Sequence, residues 1–327
     1  MVTDDGRSPL HPGDIGAAVR DLRERLNAVG HPTHGDPPDE FASATEAAVR
    51  AFQEKRGLRV DGICGPHTWE TLVEAGHRLG DRLLYLTSPM LRGDDVADLQ
   101  RRLGSLGFDA GRVDGIFGSD TAQALTDFQR NAGITTDAIG GPDTVAALNR
   151  LGSRGTEGDP VARLREAESL REQAPTLAGL RVVVAEAGGF AAVADALGRG
   201  LISAGADVIV LHDPDDSRQA AQANRFESEA VVVLAGRAVG CGVAFYGRAD
   251  YESIGGLRLA QLLSKHLGAA LGAEPDAPRA MTLPILRETR APAVVVEMGP
   301  PRDVAARGPE VAAAMKAALQ AWVHRPT

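Results

Sequence analysis

Apolar residues in the first half of the chain recur at helical spacing, and the same set then recurs a second time. Val19, Leu22, Leu26 and Val29 mark one face of a helix, and Val96, Leu99, Leu103 and Leu106 mark its copy. A second helix carries Ala48, Val49 and Phe52, matched by Ala124, Leu125 and Phe128. Gly57 and Gly133 stand where such a helix closes in a left-handed cap. Gly65-Pro66 and Gly141-Pro142 open a third helix, since proline at the first helical position loses no needed hydrogen bond. Leu72 and Leu148 fall on its inward face. The offset between copies is constant from Phe52-Gln53 to Pro66 and one residue longer upstream, so the slip lies in the first loop of each copy. This is a tandem of two small three-helix units. A core this small makes mutual packing of the copies an expectation.

Residues 152–159, Gly-Ser-Arg-Gly-Thr-Glu-Gly-Asp, read as a turn-rich linker before Pro160, and residues 161–173 as a charged helix that spaces or docks. From Leu180 the period changes. Val182-Val183-Val184, Val208-Ile209-Val210-Leu211, Val231-Val232-Val233-Leu234, Val243-Ala244-Phe245-Tyr246 and Ala293-Val294-Val295-Val296 are β-branched runs of buried-strand type. Between them Phe190, Val193, Leu197 and Leu201 give a helix closed by Gly205, and residues 311–323 give a last one. The expected architecture is multidomain, with two all-α modules at 12–78 and 86–151, linker and charged helix at 152–178, and an α/β domain with a mostly parallel sheet at 179–323.

Composition narrows the function classes. A net charge of −9 argues against nucleic-acid or anionic-membrane partners, and 4% aromatics leaves no platform for stacking bases. Cys64 and Cys241 fall in different domains and make no disulfide framework. No run is long enough to span a bilayer. The opening Met1-Val2-Thr3-Asp4-Asp5-Gly6-Arg7 carries acid where a secretory signal needs base and then an apolar core, so the expected location is cytoplasmic.

The second copy, with Gly93-Asp94-Asp95-Val96, Val113-Asp114-Gly115-Ile116-Phe117-Gly118, Thr121 and Phe128-Gln129, resembles a type 1 peptidoglycan-binding domain. The resemblance covers both copies, roughly residues 12–151. It implies glycan contact around Phe128, Gln129, Asp114 and Gly115, while the same positions also serve to specify a bundle and its turns. The first copy departs, because Pro37-Pro38-Asp39-Glu40-Phe41-Ala42 stands where Val-Asp-Gly-x-Phe-Gly belongs.

Residues 285–299, Ile-Leu-Arg-Glu-Thr-Arg-Ala-Pro-Ala-Val-Val-Val-Glu-Met-Gly, resemble the C-terminal signature of the type 3 family of zinc-dependent N-acetylmuramoyl-L-alanine amidases. Ala223-Asn224 and Gly242-Val243 leading into Phe245-Tyr246 extend the likeness over about 179–323. The resemblance implies that Glu297 corresponds to the catalytic acid/base beside the metal. The family holds zinc with two histidines and a glutamate, leaving one position open for water. Here the first strand runs into Ala185-Glu186-Ala187-Gly188-Gly189 with no imidazole, and Ala235 stands where the second histidine belongs. Glu186 is the one remnant of the ligand set, and it fits only if a loop has been excised. As a polar strand-end residue it needs no such assumption. His212, His266 and His324 lack metal-ligand spacing to one another. The reading is therefore no metal and no cofactor, with zinc required only if the domain is a working amidase. Glu297 then persists as a strand-end cap or as the partner of an arginine such as Arg287.

Tandem modules, a degenerate amidase and His77-Arg78-Leu79-Gly80 leading to Arg82, Leu84 and Tyr85 together resemble the CwlM-type cytoplasmic amidase homologues of actinobacteria. That implies a regulator of peptidoglycan precursor synthesis working through a protein partner, or a binder of peptidoglycan fragments. Two further readings remain open: an active N-acetylmuramoyl-L-alanine amidase, and a passive wall-binding protein.

Overall fold

Helix starts at glycine-proline and strand runs of valine divide the chain much as the periodicities require. A computed structural model describes residues 8–152, 161–172, 175–248, 251–272 and 274–324. The linker expected at 152–159 lies, beyond Gly152, outside the described residues. The chain forms two compact units, Met1–Leu164 and Arg165–Thr327.

The first unit holds α1 (Ala17–Ala28), α2 (Ser43–Arg56), α3 (Pro66–Glu74), α4 (Asp94–Ser105), α5 (Ser119–Ala132) and α6 (Pro142–Gly152). Gly57 and Gly133 adopt left-handed caps at φ 65° and 67°. Each copy has its own apolar cluster. Val19, Leu22, Leu26, Phe41, Phe52 and Leu72 fill the first; Val96, Leu99, Leu103, Phe117, Phe128 and Leu148 fill the second. The copies are joined by a polar contact, Arg56 Nη1 to Asp94 Oδ2 at 2.8 Å.

With so little apolar mass, the loops are held by amide clamps. Gln129 Nε2 donates to Asp137 Oδ1 (2.8 Å), Ile139 O (3.0 Å) and Thr144 Oγ1 (3.1 Å), while its Oε1 accepts from Asp137 N (3.1 Å) and Ala138 N (2.9 Å). Gln53 repeats the pattern on Asp61, Gly62, Ile63 and Thr68. Gln100 repeats it on Asp114, Gly115, Ile116 and Thr121. One primary amide thus uses both its donor and acceptor ends to fix a turn and the next helix start. At the position matching Gln100, the first copy has Arg23. Its guanidinium donates to Thr33 Oγ1, Thr33 O, Asp36 O and Pro37 O, and the Asp36 carboxylate accepts from Ala44 N and Thr45 N at the start of α2. The departing loop of the first copy is thus closed by different chemistry, with Phe41 fully buried where the second copy has Phe117.

The second unit begins within α7 (Val161–Glu172) and continues β1 (Arg181–Glu186), α8 (Ala191–Ile202), β2 (Asp207–His212), α9 (Asp216–Arg225), β3 (Ala230–Gly236), β4 (Gly240–Arg248), β5 (Tyr251–Glu252), α10 (Ile254–Leu271), β6 (Arg279–Met281), α11 (Pro284–Glu288), β7 (Ala293–Gly299), α12 (Pro301–Ala306) and α13 (Gly308–Val323). The sheet order is β2-β1-β3-β7-β4-β5, with β6 beside β4. The pairs β1·β2, β1·β3, β3·β7 and β4·β6 are parallel, whereas β4 runs antiparallel to β7 and β5. Val182, Val184, Val232, Leu234, Val294 and Val296 face one core with α8, α10 and α13. Val183, Val231, Val233 and Val295 alternate to the opposite face and are also buried.

Two polar devices set the frame. Glu166 of α7 accepts from Ser253 Oγ, Tyr251 OH, Ile254 N and Gly255 N, which places a carboxylate on the amino end of α10. The charged helix therefore docks on this unit, even though Leu164 is left exposed. Asn224 Nδ2 donates to Glu288 O at 2.8 Å and its Oδ1 accepts from Arg290 N at 2.8 Å, pinning the segment that feeds β7.

Removing a clamp leaves buried polar groups unmatched. Gln129→Ala is expected to destabilise its module by about 2–4 kcal/mol and to speed amide exchange at Asp137 and Ala138. A loss below about 0.5 kcal/mol in chemical denaturation would count against the clamp. Ala138 sits at φ 58°, where the matching turns have Gly62 at 77° and Gly115 at 73°. Since a left-handed residue with a Cβ costs roughly 1–2 kcal/mol, Ala138→Gly should raise the melting temperature, by an amount reduced by the floppier unfolded chain.

Candidate functional site

Strand register places the groups at the carboxyl end of the sheet. Ala235 pairs with Glu297, and Gly242 pairs with Glu297 from the other side. Glu186 pairs with Leu234, which in turn pairs with Val296. Paired residues share a face and successive residues alternate. Glu186 and Glu297 therefore leave opposite faces of the sheet and do not converge.

Glu297 is 8% exposed. Its Oε2 accepts from Arg279 Nη2, whose Cα lies two strands away on β6 in register with Ala244. Gly242 is the residue between them. A Cβ there would stand 2.8 Å from Arg237 Nη1 and 3.3 Å from Asp276 Oδ2. Arg237 Nη1 donates to Asp276 Oδ2 at 2.6 Å, so a second ion pair lies over Gly242 on the face that Glu297 uses. Arg279 is thus one arginine against Glu297, and Arg287 is buried in α11.

On the other face, Glu186 Oε2 accepts from Gly188 N (2.8 Å) and Phe190 N (3.2 Å), closing the short connection into α8. Its Oε1 lies 3.0 Å from His212 Nδ1, and His212 Nε2 lies 3.3 Å from Asp195 Oδ1. Burial pushes Glu186 up, but the bond from His212 and the two backbone donors outweigh it and hold the carboxyl below its ordinary value. The bond to Glu186, helped by Asp195, raises His212 against the opposing effect of burial.

Could these groups hold the zinc that an amidase needs? Both nitrogens of His212 face carboxylates, so neither lone pair is directed at a shared point with Glu297. Ala235 beside Glu297 has no donor atom. Cys241 shares the opposite, apolar face, and burial pushes its thiol up to about 11. His266 lies on α10 and His324 follows α13. Among the described residues no three His, Cys, Asp or Glu side chains are grouped to hold a metal ion. The donor set does not fit catalytic zinc, which demands three protein ligands and an open position.

In the first unit, the four residues singled out for glycan contact belong to internal structure. Phe128 and Gln129 are each 1% exposed, and Phe128 meets Phe108 edge to face at 5.6 Å. Gly115 is buried and Asp114 half-buried, both gripped by Gln100. Sequence reasoning did not find Arg279, Arg237, Asp276 or the Glu186–His212–Asp195 cluster. For the cluster a signal existed, since Glu186 and His212 are the last residues of two neighbouring parallel strands.

The fold is that of two helical modules followed by an amidase-like α/β unit, and comparison with known proteins agrees. The family described as "Putative peptidoglycan binding domain" matches residues 15–72 and 92–148. N-acetylmuramoyl-L-alanine amidase CwlM of Mycobacterium tuberculosis is 33% identical across 89% of this chain and 81% of its own length. The chain belongs to that CwlM family of N-acetylmuramoyl-L-alanine amidase homologues. N-acetylmuramoyl-L-alanine amidase CwlL of Bacillus licheniformis is 34% identical over 43% of this chain and 45% of its own. Among solved structures, the catalytic domain of the amidase CwlV from Bacillus (Paenibacillus) polymyxa var. colistinus aligns at 18% identity and a TM-score of 0.37, covering 44% of this chain and 98% of that one.

The histidine cluster has a pH signature. Its contribution to stability is complete between the ordinary glutamate value of 4.5 and the ordinary histidine value of 6.5. It fades as pH rises through the raised pKa of folded His212, and as pH falls through the lowered pKa of folded Glu186. His212→Gln should flatten the alkaline limb when melting temperature is plotted from about pH 5 to 9; an unchanged curve would show that the imidazolium contributes nothing.

Proposed function

We propose that this protein is a peptidoglycan-related binding or regulatory protein built on a catalytically degenerate amidase. It acts in cell-wall biogenesis, from the cytoplasm, through contact with a protein of peptidoglycan synthesis or with peptidoglycan fragments. The observation that carries this reading is the pairing of Ala235 with Glu297 in register, with Arg279 on the carboxylate. A general base beside zinc faces a water of pKa about 7, whereas free water stands near ~15.7. A lone carboxylate cannot bridge that difference, so Glu297 is a retained residue without its reaction. The peptidoglycan-binding match to both copies supports the ligand class. Among the described residues no helix is long and apolar enough to cross a membrane.

The names of the relatives favour a second reading, a working amidase that cleaves between the lactyl group of muramic acid and L-alanine. That reading requires bound metal. Metal analysis of the purified protein, paired with muropeptide digestion, separates the two. The expected outcome is zinc far below one equivalent and no newly released peptide amine, with Glu297→Gln leaving that result unchanged. Stoichiometric zinc together with peptide release that Glu297→Gln abolishes would overturn the proposal.

A further inference from the structure

One aromatic contact is built from different side chains in the two copies of the helical module. The amide of His31 donates to Leu26 O at 2.8 Å, and the amide of Phe108 donates to Leu103 O at 2.9 Å, so the two residues hold matching places. Each ring then meets the phenylalanine of the following helix edge to face. His31 meets Phe52 and Phe108 meets Phe128, with centroids 5.6 Å apart and planes at 88° in both copies. Of the two rings, only the imidazole can acquire a charge. We infer that His31 is an acid-sensitive fastening for the loop between α1 and α2, holding it while neutral and loosening it when protonated.

The surroundings of His31 oppose a positive charge. Lys55 and Arg56 come from the last turn of α2, where the second copy has Asn131 and Ala132. The Arg56 guanidinium lies over the Phe52 ring, 5.6 Å from its centroid, so the ring that His31 meets already carries a cation. Asp94 of α4 faces this set through its bond to Arg56. Burial first, and then Lys55 and Arg56, hold the imidazole below its ordinary value of 6.5. A histidine that is harder to protonate folded than unfolded contributes its stability in full above 6.5. That contribution is lost as pH falls from there through the lowered value of folded His31. The loop it fastens is pinned again further on. Thr33 N donates to Asn27 Oδ1 at 3.0 Å, and Arg23 Nη2 donates to Thr33 O and Asp36 O at 2.8 and 2.9 Å. Asp36 in turn accepts the amides of Ala44 and Thr45. Burial pushes its carboxyl up, but Thr45, Ala44 and Arg23 outweigh it and hold the group below the ordinary 3.8. This second fastening therefore yields only at lower pH than the first.

The test is nuclear magnetic resonance of the full chain from about pH 8 to 5, with wild type, His31→Phe and Lys55→Asn. His31→Phe identifies the His31 ring signal by its loss and copies the packing of Phe108. In the wild type that ring should titrate below 6.5. Lys55→Asn should move its midpoint up, because one opposing cation is gone. Exchange of the His31 and Thr33 amides, corrected for the intrinsic effect of pH, should speed up as pH falls. The limiting fold-loss of protection should be ten raised to the difference between 6.5 and the midpoint found. In His31→Phe the Thr33 amide should keep its protection over the same range. A midpoint at or above 6.5 would overturn the inference. So would wild-type protection that does not change with pH, or an acid-dependent loss that persists unaltered in His31→Phe.

Discussion

A polar group removed from water must find its partners inside the protein, and this chain is organised around meeting that demand with single side chains. The three-helix modules are too small to define their loops by apolar packing. Three of the loops are instead each threaded through one glutamine, whose amide engages a turn and the threonine of the following helix with both of its ends. A fully satisfied amide of this kind specifies geometry as well as stability. Arg23 shows that the requirement lies in the satisfaction and not in the residue. Where the first copy has lost its Asp-Gly turn, a guanidinium binds the carbonyls of a differently shaped loop, and Asp36 supplies the donors at the start of α2 with an acceptor.

The same constraint shapes the α/β unit. Strand ends in a parallel sheet expose backbone donors and any ionisable side chains to the same edge. Glu186 answers both: it accepts the amides that open α8 and holds the imidazole at the end of β2. Glu166 does a related job at the start of α10. These carboxylates sit where positive partial charge gathers, at helix amino ends and beside a histidine. Glu297 meets an arginine from β6, two strands away.

Much of the architecture was legible in the sequence. The duplicated helical spacing located the helices of the modules and their glycine caps, because a 3.6-residue period and a left-handed stop are both written locally. The valine runs located five strands, and only the short β5 and β6 escaped, being too brief to carry a period of two. The functional face was less legible, for a physical reason. Which side a residue takes follows from local alternation, but which residue it meets follows from register between strands far apart in sequence. Ala235 could be read as a missing donor from one position alone. That Glu186 and Glu297 stand on opposite faces, or that Arg279 reaches Glu297 past Gly242, depends in each case on the register of three strands. Phe128 and Gln129 stay ambiguous for the complementary reason: a residue that fixes a turn and one that touches a ligand leave the same trace in a repeat.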